Sequence, residues 1–229
     1  MMKKIVLIFV LVSAVSLFGC EKTKTSDTQA AAEPKTAQTE QPAAQTKLQA
    51  SDGPFGLSQG ITLEQSQKIM PLKKEGDFVY STPKVPSPHN AFENYMLVIT
   101  PQHGLCKITA IGNAINNDAY GDSIREKFDT LLEALSQKYG KVEKFDYLNA
   151  DSIWSKPRDW MMGLVTEERR LAAFWMRGDK GVSLPSEIAS IGIHAKGLRS
   201  DSGYITLDYE FSNFDDCFEW VETQSNSAL

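Results

Sequence analysis

Residues 21–52 contain almost no large apolar side chains, and this tract limits where the chain can form a core. Leu48 is its single large apolar residue, and Ala, Thr, Gln, Lys and Glu make up most of the rest. Such a segment buries too little apolar surface to offset the entropy lost on ordering. We therefore predict a disordered linker over residues 20–52, a globular domain over residues 53–222 and a flexible polar tail over residues 223–229.

Residues 1–19 have the pattern of an export signal. Lys3 and Lys4 supply positive charge, and residues 5–17 are apolar apart from Ser13 and Ser16. This apolar run is shorter than the roughly 20 residues that a membrane-spanning helix needs. We therefore predict a signal peptide that is removed, and not a membrane-spanning helix.

The signal ends in Leu17-Phe18-Gly19-Cys20, which resembles the lipobox of bacterial lipoproteins. The resemblance implies that the Cys20 thiol receives a diacylglyceryl group. It also implies that the chain is cut before Cys20 and that the new amino terminus is acylated, with palmitate as the expected chain. Glu21 and not Asp follows the cysteine, which in enteric-type bacteria implies the outer membrane, with the domain in the periplasm. An ordinary secretory signal with an incidental cysteine is the alternative.

The charge balance argues against polyanionic partners. Of the 24 Lys and Arg residues, two lie in residues 1–19, so that 22 face 29 Asp and Glu afterwards, a formal charge of about −7. Nucleic acids and anionic membrane surfaces require clustered basic residues. We therefore expect no nucleic-acid partner, and contact with the membrane only through lipid on Cys20.

Two cysteines, Cys106 and Cys217, remain besides Cys20. The compartment outside the inner membrane is oxidising, so we predict a disulfide between them. A reactive Cys106 assisted by His103 is the weaker alternative, because pairing accounts for both cysteines. We predict no metal site, since the three histidines share no ligand spacing: His89, His103 and His194.

A short helix is predicted over residues 63–70. Thr62 and Gln65 have capping-box spacing at its start, and Pro71 ends it. The surrounding residues resemble the opening of several small bacterial envelope domains, in which a helix precedes a β-meander: Phe55-Gly56-Leu57, Gly60-Ile61-Thr62 and Glu64-Gln65.

A longer helix is predicted over residues 123–139. Its apolar residues recur at helical spacing, Ser123 and Glu126 have capping-box spacing, and Gly140 follows its last turn. The charged residues lie on the other side, which indicates one core face and one solvated face.

Runs of apolar and β-favouring residues predict several strands. Residues 204–211 alternate most clearly, with Ile205, Leu207, Tyr209 and Phe211 expected on the buried side. The other strands are predicted over residues 77–81, 95–99, 105–112, 142–148 and 188–195. Residues 160–176 fit either a hairpin or one helix, and we favour the hairpin because Phe174, Trp175 and Gly163 suit helices poorly.

These elements predict an α+β fold with mostly antiparallel strands, two main helices and helices packed on one face. Residues 108–112 and 193–197 share the pattern Ile-x-Ala-x-Gly. The pattern raises a second hypothesis, that the domain consists of two halves, each a helix followed by a β-meander.

No nucleophile, phosphate-binding or metalloprotease motif occurs in the chain, and we expect no cofactor. The acidic pairs Asp208 with Glu210 and Asp215 with Asp216 are expected to be solvated. The irregular, Pro-rich residues 83–89 are a candidate contact surface. We predict a non-enzymatic protein-binding module of the cell envelope. The alternative is an envelope hydrolase with an unrecognised carboxylate site.

Overall fold

The computed structural model describes residues 51–116 and 118–226, so residues 1–19, Cys20 and most of the predicted linker lie outside the described residues. The helices are α1 (Leu63–Ile69), α2 (Asp122–Tyr139), α3 (Trp160–Val165) and α4 (Phe214–Asn226). The strands are β1 (Lys73–Gly76), β2 (Val79–Thr82), β3 (Phe92–Thr100), β4 (Gly104–Gly112), β5 (Ile115–Asn116), β6 (Lys144–Leu148), β7 (Arg169–Met176), β8 (Ile188–Arg199) and β9 (Ser202–Phe211). The α+β class is therefore confirmed.

All nine strands join one antiparallel sheet. Its order is β1-β2-β3-β4-β9-β8-β7-β6, and β5 pairs with one end of β9. The register of the central pair separates two faces, because side chains alternate along a strand. Ile108 lies opposite Tyr209 on a buried face, which we call the core face, while Lys107 lies opposite Glu210 on the other, which we call the open face.

Helices α2 and α3 cover the core face. α2 packs against β8 and β9, and α3 packs against β7 and β8. The predicted apolar stripe of α2 is buried, which confirms the core-face interpretation of this helix: Ile124, Phe128, Leu131, Leu135 and Tyr139. Trp175 of β7 is fully buried between these layers, and its indole Nε1 donates a hydrogen bond to the carbonyl of Gly140 at 2.7 Å.

The two predicted helix starts have different outcomes. At α1, the Thr62 side chain accepts from the Gln65 N–H at 3.2 Å, and the Gln65 side chain accepts from the Thr62 N–H at 3.0 Å, so that capping box is confirmed. At α2 the predicted box is wrong. The helix begins one residue earlier, its N-cap is Gly121 in a left-handed conformation, and no side chain caps it.

Two strand predictions need correction. The strand predicted over residues 77–81 begins too early, because Asp77 and Phe78 form a turn and the strand there is β2, which pairs with the preceding β1. β1 was missed because its residues, Lys73 to Gly76, are polar and carry no apolar alternation.

Residues 160–176 form neither a hairpin nor a single helix. Trp160 to Val165 form α3, and Arg169 to Met176 form β7, which pairs with both β6 and β8. The hairpin prediction was wrong for its first half because Trp160 and Leu164, one helical turn apart, are both buried. The second half, residues 169–176, is a strand because β6 and β8 pair with it on either side.

The expectation of two main helices was incomplete, because α4 also follows the sheet. It extends to Asn226, beyond the predicted domain end at residue 222. The Lys107 ammonium lies 5.3 Å from the centre of the Phe214 ring, so α4 begins beside the open face. The expectation that all helices pack on one face therefore does not hold for α4.

The shared Ile-x-Ala-x-Gly pattern does not occupy equivalent places in the sheet. Residues 108–112 lie in β4, the last of the four strands β1 to β4. Residues 193–197 lie in β8, the third of the four strands β6 to β9. The strand that corresponds to β4 in position is β9, because each is the last of its four strands and the two pair with each other at the centre of the sheet.

Candidate functional site

Large apolar side chains are exposed on the open face at its β6 end. Phe145 and Tyr147 of β6 are 53% and 57% exposed, and Phe174 and Met176 of β7 are 40% and 47% exposed. The members of each pair are two positions apart along their strand, with one residue between them, so they lie on the same face. Phe145 lies opposite Ala172 in the register, which puts both strands' residues on the open face. We call these four residues the aromatic patch.

The patch is held in place by contacts with the neighbouring strand. The rings of Phe145 and Phe174 are 6.2 Å apart between centres, and Phe174 meets the His194 ring edge-to-face at 5.1 Å. Gly192 of β8 lies directly opposite Phe174. A Cβ atom at Gly192 would lie 3.4 Å from the Phe174 ring and 3.0 Å from His194 Nε2. The glycine therefore leaves room for both side chains to lie close together.

Two surface cavities lie beside the aromatic patch. Phe145 and Phe174 line both of them. The first has a volume of about 440 Å³ and is also lined by Tyr147, Arg170, His194 and Lys196. The second has a volume of about 450 Å³ and is also lined by Val142, Met176 and Val182.

A hydrogen-bonded group of polar residues, which we call the polar network, covers the middle of the open face. Glu210 accepts hydrogen bonds from Lys107 Nζ at 2.9 Å and from Ser190 Oγ at 2.7 Å. The Thr109 hydroxyl donates to Asp208. His194 Nε2 lies 3.7 Å from Asp208 Oδ2, so this histidine joins the polar network to the aromatic patch.

The surroundings shift two pKa values in the polar network. Burial works against the charged form of Glu210, but the hydrogen bonds from Lys107 and Ser190 outweigh it, and the pKa of Glu210 is lowered. Burial is also the main cause that lowers the pKa of His194, and the positive charges of Lys196, Lys107 and Arg170 act in the same direction against Asp208. Glu210 is thus ionised and His194 neutral near neutral pH.

Besides His194 and Asp208, the structure brings together Cys106 and Cys217 among the residues singled out from the sequence. The Cα atoms of Cys106 and Cys217 are 6.5 Å apart, a separation within the range that disulfides span. The three histidines are in separate places, and the described residues contain no group of three His, Cys, Asp or Glu suited to a metal ion. Asp215 and Asp216 are exposed in the first turn of α4, as expected. The expectation of solvated side chains was wrong for Asp208 and Glu210, which are only 19% and 29% exposed because they pack into the polar network.

The Pro-rich loop over residues 83–89 is partly packed onto the domain. Val85 is buried, and the Ser87 N–H donates to the Phe55 carbonyl at 3.0 Å. The aromatic patch, which the sequence interpretation missed, exposes larger apolar side chains than this loop does. The available signal was the alternation of Phe145 and Tyr147 with charged residues.

Comparison with known proteins gives no relative from which a function could be transferred. No protein-family model matches the chain, and no curated protein or solved structure matches it either. Within the described part of the chain, none of the helices has the length and apolarity needed to cross a membrane.

Proposed function

We propose that this protein is a non-enzymatic binding module that recognises another protein through the aromatic patch. The observation that carries the proposal is the exposure of four large apolar side chains, each 40–57% exposed, on adjacent strands. Contiguous exposed apolar surface typically marks an interaction site in a soluble domain. Aromatic residues, Met and Arg are the residue types enriched at protein interfaces, and Tyr and Arg often dominate the binding energy.

The chemistry of the polar network supports binding over hydrolysis. A general acid needs a carboxyl group with a raised pKa, whereas the pKa of Glu210 is lowered. Both Asp208 and Glu210 already accept hydrogen bonds from hydroxyl or ammonium groups of the domain. Their hydrogen bonds instead support a rigid sheet surface on which the aromatic patch is held.

We infer from the sequence that lipid on Cys20 anchors this module to a membrane, with the outer membrane as the expected site. The linker over residues 20–52 would span roughly 30 Å as a flexible coil and up to about 100 Å when extended. The domain could then reach a periplasmic partner while it stays attached. Labelling of cells with a palmitate analogue should mark the native chain, whereas Cys20→Ala should remain unlabelled.

We also infer that the domain consists of two related halves. Each half has a helix followed by antiparallel strands, α1 with β1 to β4 and α2 with β6 to β9. Their last strands, β4 and β9, pair at the centre of the sheet. The arrangement supports the duplication hypothesis, although the second half also contains α3 between β6 and β7. The aromatic patch belongs to the second half only, so any duplication was followed by divergence of the open face.

In-cell photocrosslinking tests the binding function on the full chain. With p-benzoylphenylalanine in place of Tyr147, we expect one reproducible adduct with an envelope protein. Because the partner contacts the whole patch, Phe174→Ala in the same chain should reduce the adduct by roughly tenfold or more.

The same label in place of Tyr120 is the matched control, because Tyr120 is 49% exposed and lies before α2, outside the patch. Equal adducts from positions 147 and 120, or an adduct that Phe174→Ala leaves unchanged, would contradict the proposal. Absence of any adduct from position 147 at native abundance would contradict it as well.

A further inference from the structure

A pair of cations borders the aromatic patch. Arg170 lies opposite Tyr147 in the register of β6 and β7, and Lys196 lies two residues beyond His194 on β8. Both side chains are exposed, and both line the same cavity as Phe145 and Phe174. The patch therefore ends at two positive charges on one surface.

These cations are not neutralised by neighbouring acids. Over residues 51–116 and 118–226, neither Arg170 nor Lys196 forms an ion pair. Arg169, the third cation at this cavity, is paired with Asp146, and Glu167 is the one acid among the residues that line it. Both Arg170 and Lys196 contribute to the lowered pKa of His194, so their charges act on the same space.

We propose that the segment recognised by the open face carries an Asp or Glu side chain next to an apolar side chain. The carboxylate binds Arg170 and Lys196, and the apolar side chain contacts Tyr147 and Phe174. This inference rests on the proposed binding function and adds the chemistry of the partner to it.

A single carboxylate fits this surface better than a polyanion does. The planar guanidinium of Arg170 can donate two parallel hydrogen bonds to a carboxylate, and Lys196 adds a point charge. The chain as a whole has a formal charge of −5, so an anionic membrane or a nucleic acid would be repelled by much of the molecule. One acidic side chain meets only the local positive potential. The neighbouring rings also favour a partner with apolar side chains over a free anion.

Selection from a library of phage-displayed random linear peptides, presented to the purified full chain in detergent, tests the inference. Peptides that bind the chain but not its Tyr147→Ala/Phe174→Ala variant are retained, synthesised and measured by calorimetry. We expect them to contain Asp or Glu beside an apolar residue. Replacement of that acid by its amide, Arg170→Gln or Lys196→Gln should each weaken binding by about 5- to 20-fold.

Two results distinguish the inference from the function on which it rests. Patch-dependent peptides that keep their affinity without the acid, or in Arg170→Gln and Lys196→Gln together, would overturn the inference and leave the binding function standing. If selection yields no peptide that depends on the patch, both are overturned. Lys84→Gln removes an exposed cation from the loop between β2 and β3 and should leave binding unchanged. Circular dichroism of each variant establishes that it is folded.

Discussion

His194 is the residue through which pH acts on the open face. Its ring contacts Phe174, its Nε2 faces Asp208 on β9, and the charges of Lys107, Arg170 and Lys196 surround it. Burial and these three cations lower its pKa below the ordinary value of 6.5, while Asp208 opposes them. The neutral imidazole is therefore the form that fits beside the aromatic patch.

The lowered pKa predicts a loss of stability in mild acid. The unfolded chain takes up a proton on His194 near pH 6.5, before the folded chain does, so the free energy of unfolding should fall as the pH drops below about 6.5. We expect His194→Gln to reduce this fall when urea unfolding is compared at about pH 7.5 and about pH 5.5. Glu210 contributes in a lower range of pH. Its lowered pKa stabilises the folded chain above about pH 4.5, and this stabilisation is lost as the pH falls further. An unchanged pH dependence in the variant would refute the role of His194.

At the scale of elements, the start of α2 depends on its contact with α3. Gly121 has a φ of 75°, and a Cβ atom there would lie 2.2 Å from the ring of Trp160. The guanidinium groups of Arg125 and Arg169 lie 5.2 and 5.4 Å from the Trp160 ring. The indole is thus surrounded by groups from α2 and β7, and it has little freedom to move away from an added methyl group.

Two glycine substitutions separate backbone strain from this clash. Gly181 also has a positive φ, 83°, but a Cβ atom there would meet nothing within 4 Å. We expect Gly181→Ala to cost about 1–2 kcal/mol from the left-handed backbone alone. Gly121→Ala should cost about 1–3 kcal/mol more, because the methyl group overlaps Trp160. Urea unfolding of both variants measures the difference. Equal losses would mean that Trp160 moves aside freely.

At the scale of the whole molecule, the two cysteines lie where the last helix meets the centre of the sheet. Cys106 lies in β4 and Cys217 in α4, 111 residues apart in sequence. The Thr100 hydroxyl lies 3.6 Å from the Cys217 sulfur, and Trp220 of α4 packs edge-to-face on Phe78 at 5.0 Å. A disulfide here would hold α4 against the β3–β4 hairpin and the turn between β1 and β2.

The predicted disulfide should make a large contribution to stability. Closing a loop of this length restricts the unfolded chain and contributes roughly 4–5 kcal/mol in the chain-entropy account. We expect the Cys106→Ser/Cys217→Ser variant to lose about that much in urea unfolding, and the reduced native chain to behave like the variant. Mass spectrometry of peptides prepared without reductant provides the direct check. Free thiols at both positions in protein from the native compartment would refute the disulfide.

The sequence by itself determined the elements whose two sides differ in burial. The stripe of α2 and the alternation of Ile205, Leu207, Tyr209 and Phe211 in β9 record such a difference at a fixed period, and both predictions are confirmed. The same holds for the capping box of α1, since Thr62 and Gln65 satisfy local N–H groups and require no distant partner.

Only the tertiary structure decided what each face meets. Residues 160–176 divide into α3 and β7 because β6 and β8 pair with the second part alone. Phe145 and Tyr147 alternate much as core residues do, and the local pattern is the same whether a helix covers a face or leaves it open. The aromatic patch is exposed because α2 and α3 pack on the core face, while α4 lies beside Lys107, Thr100 and Phe78, at the other end of the sheet from β6 and β7. These packing contacts join residues that lie far apart in the sequence, so no local pattern specifies them.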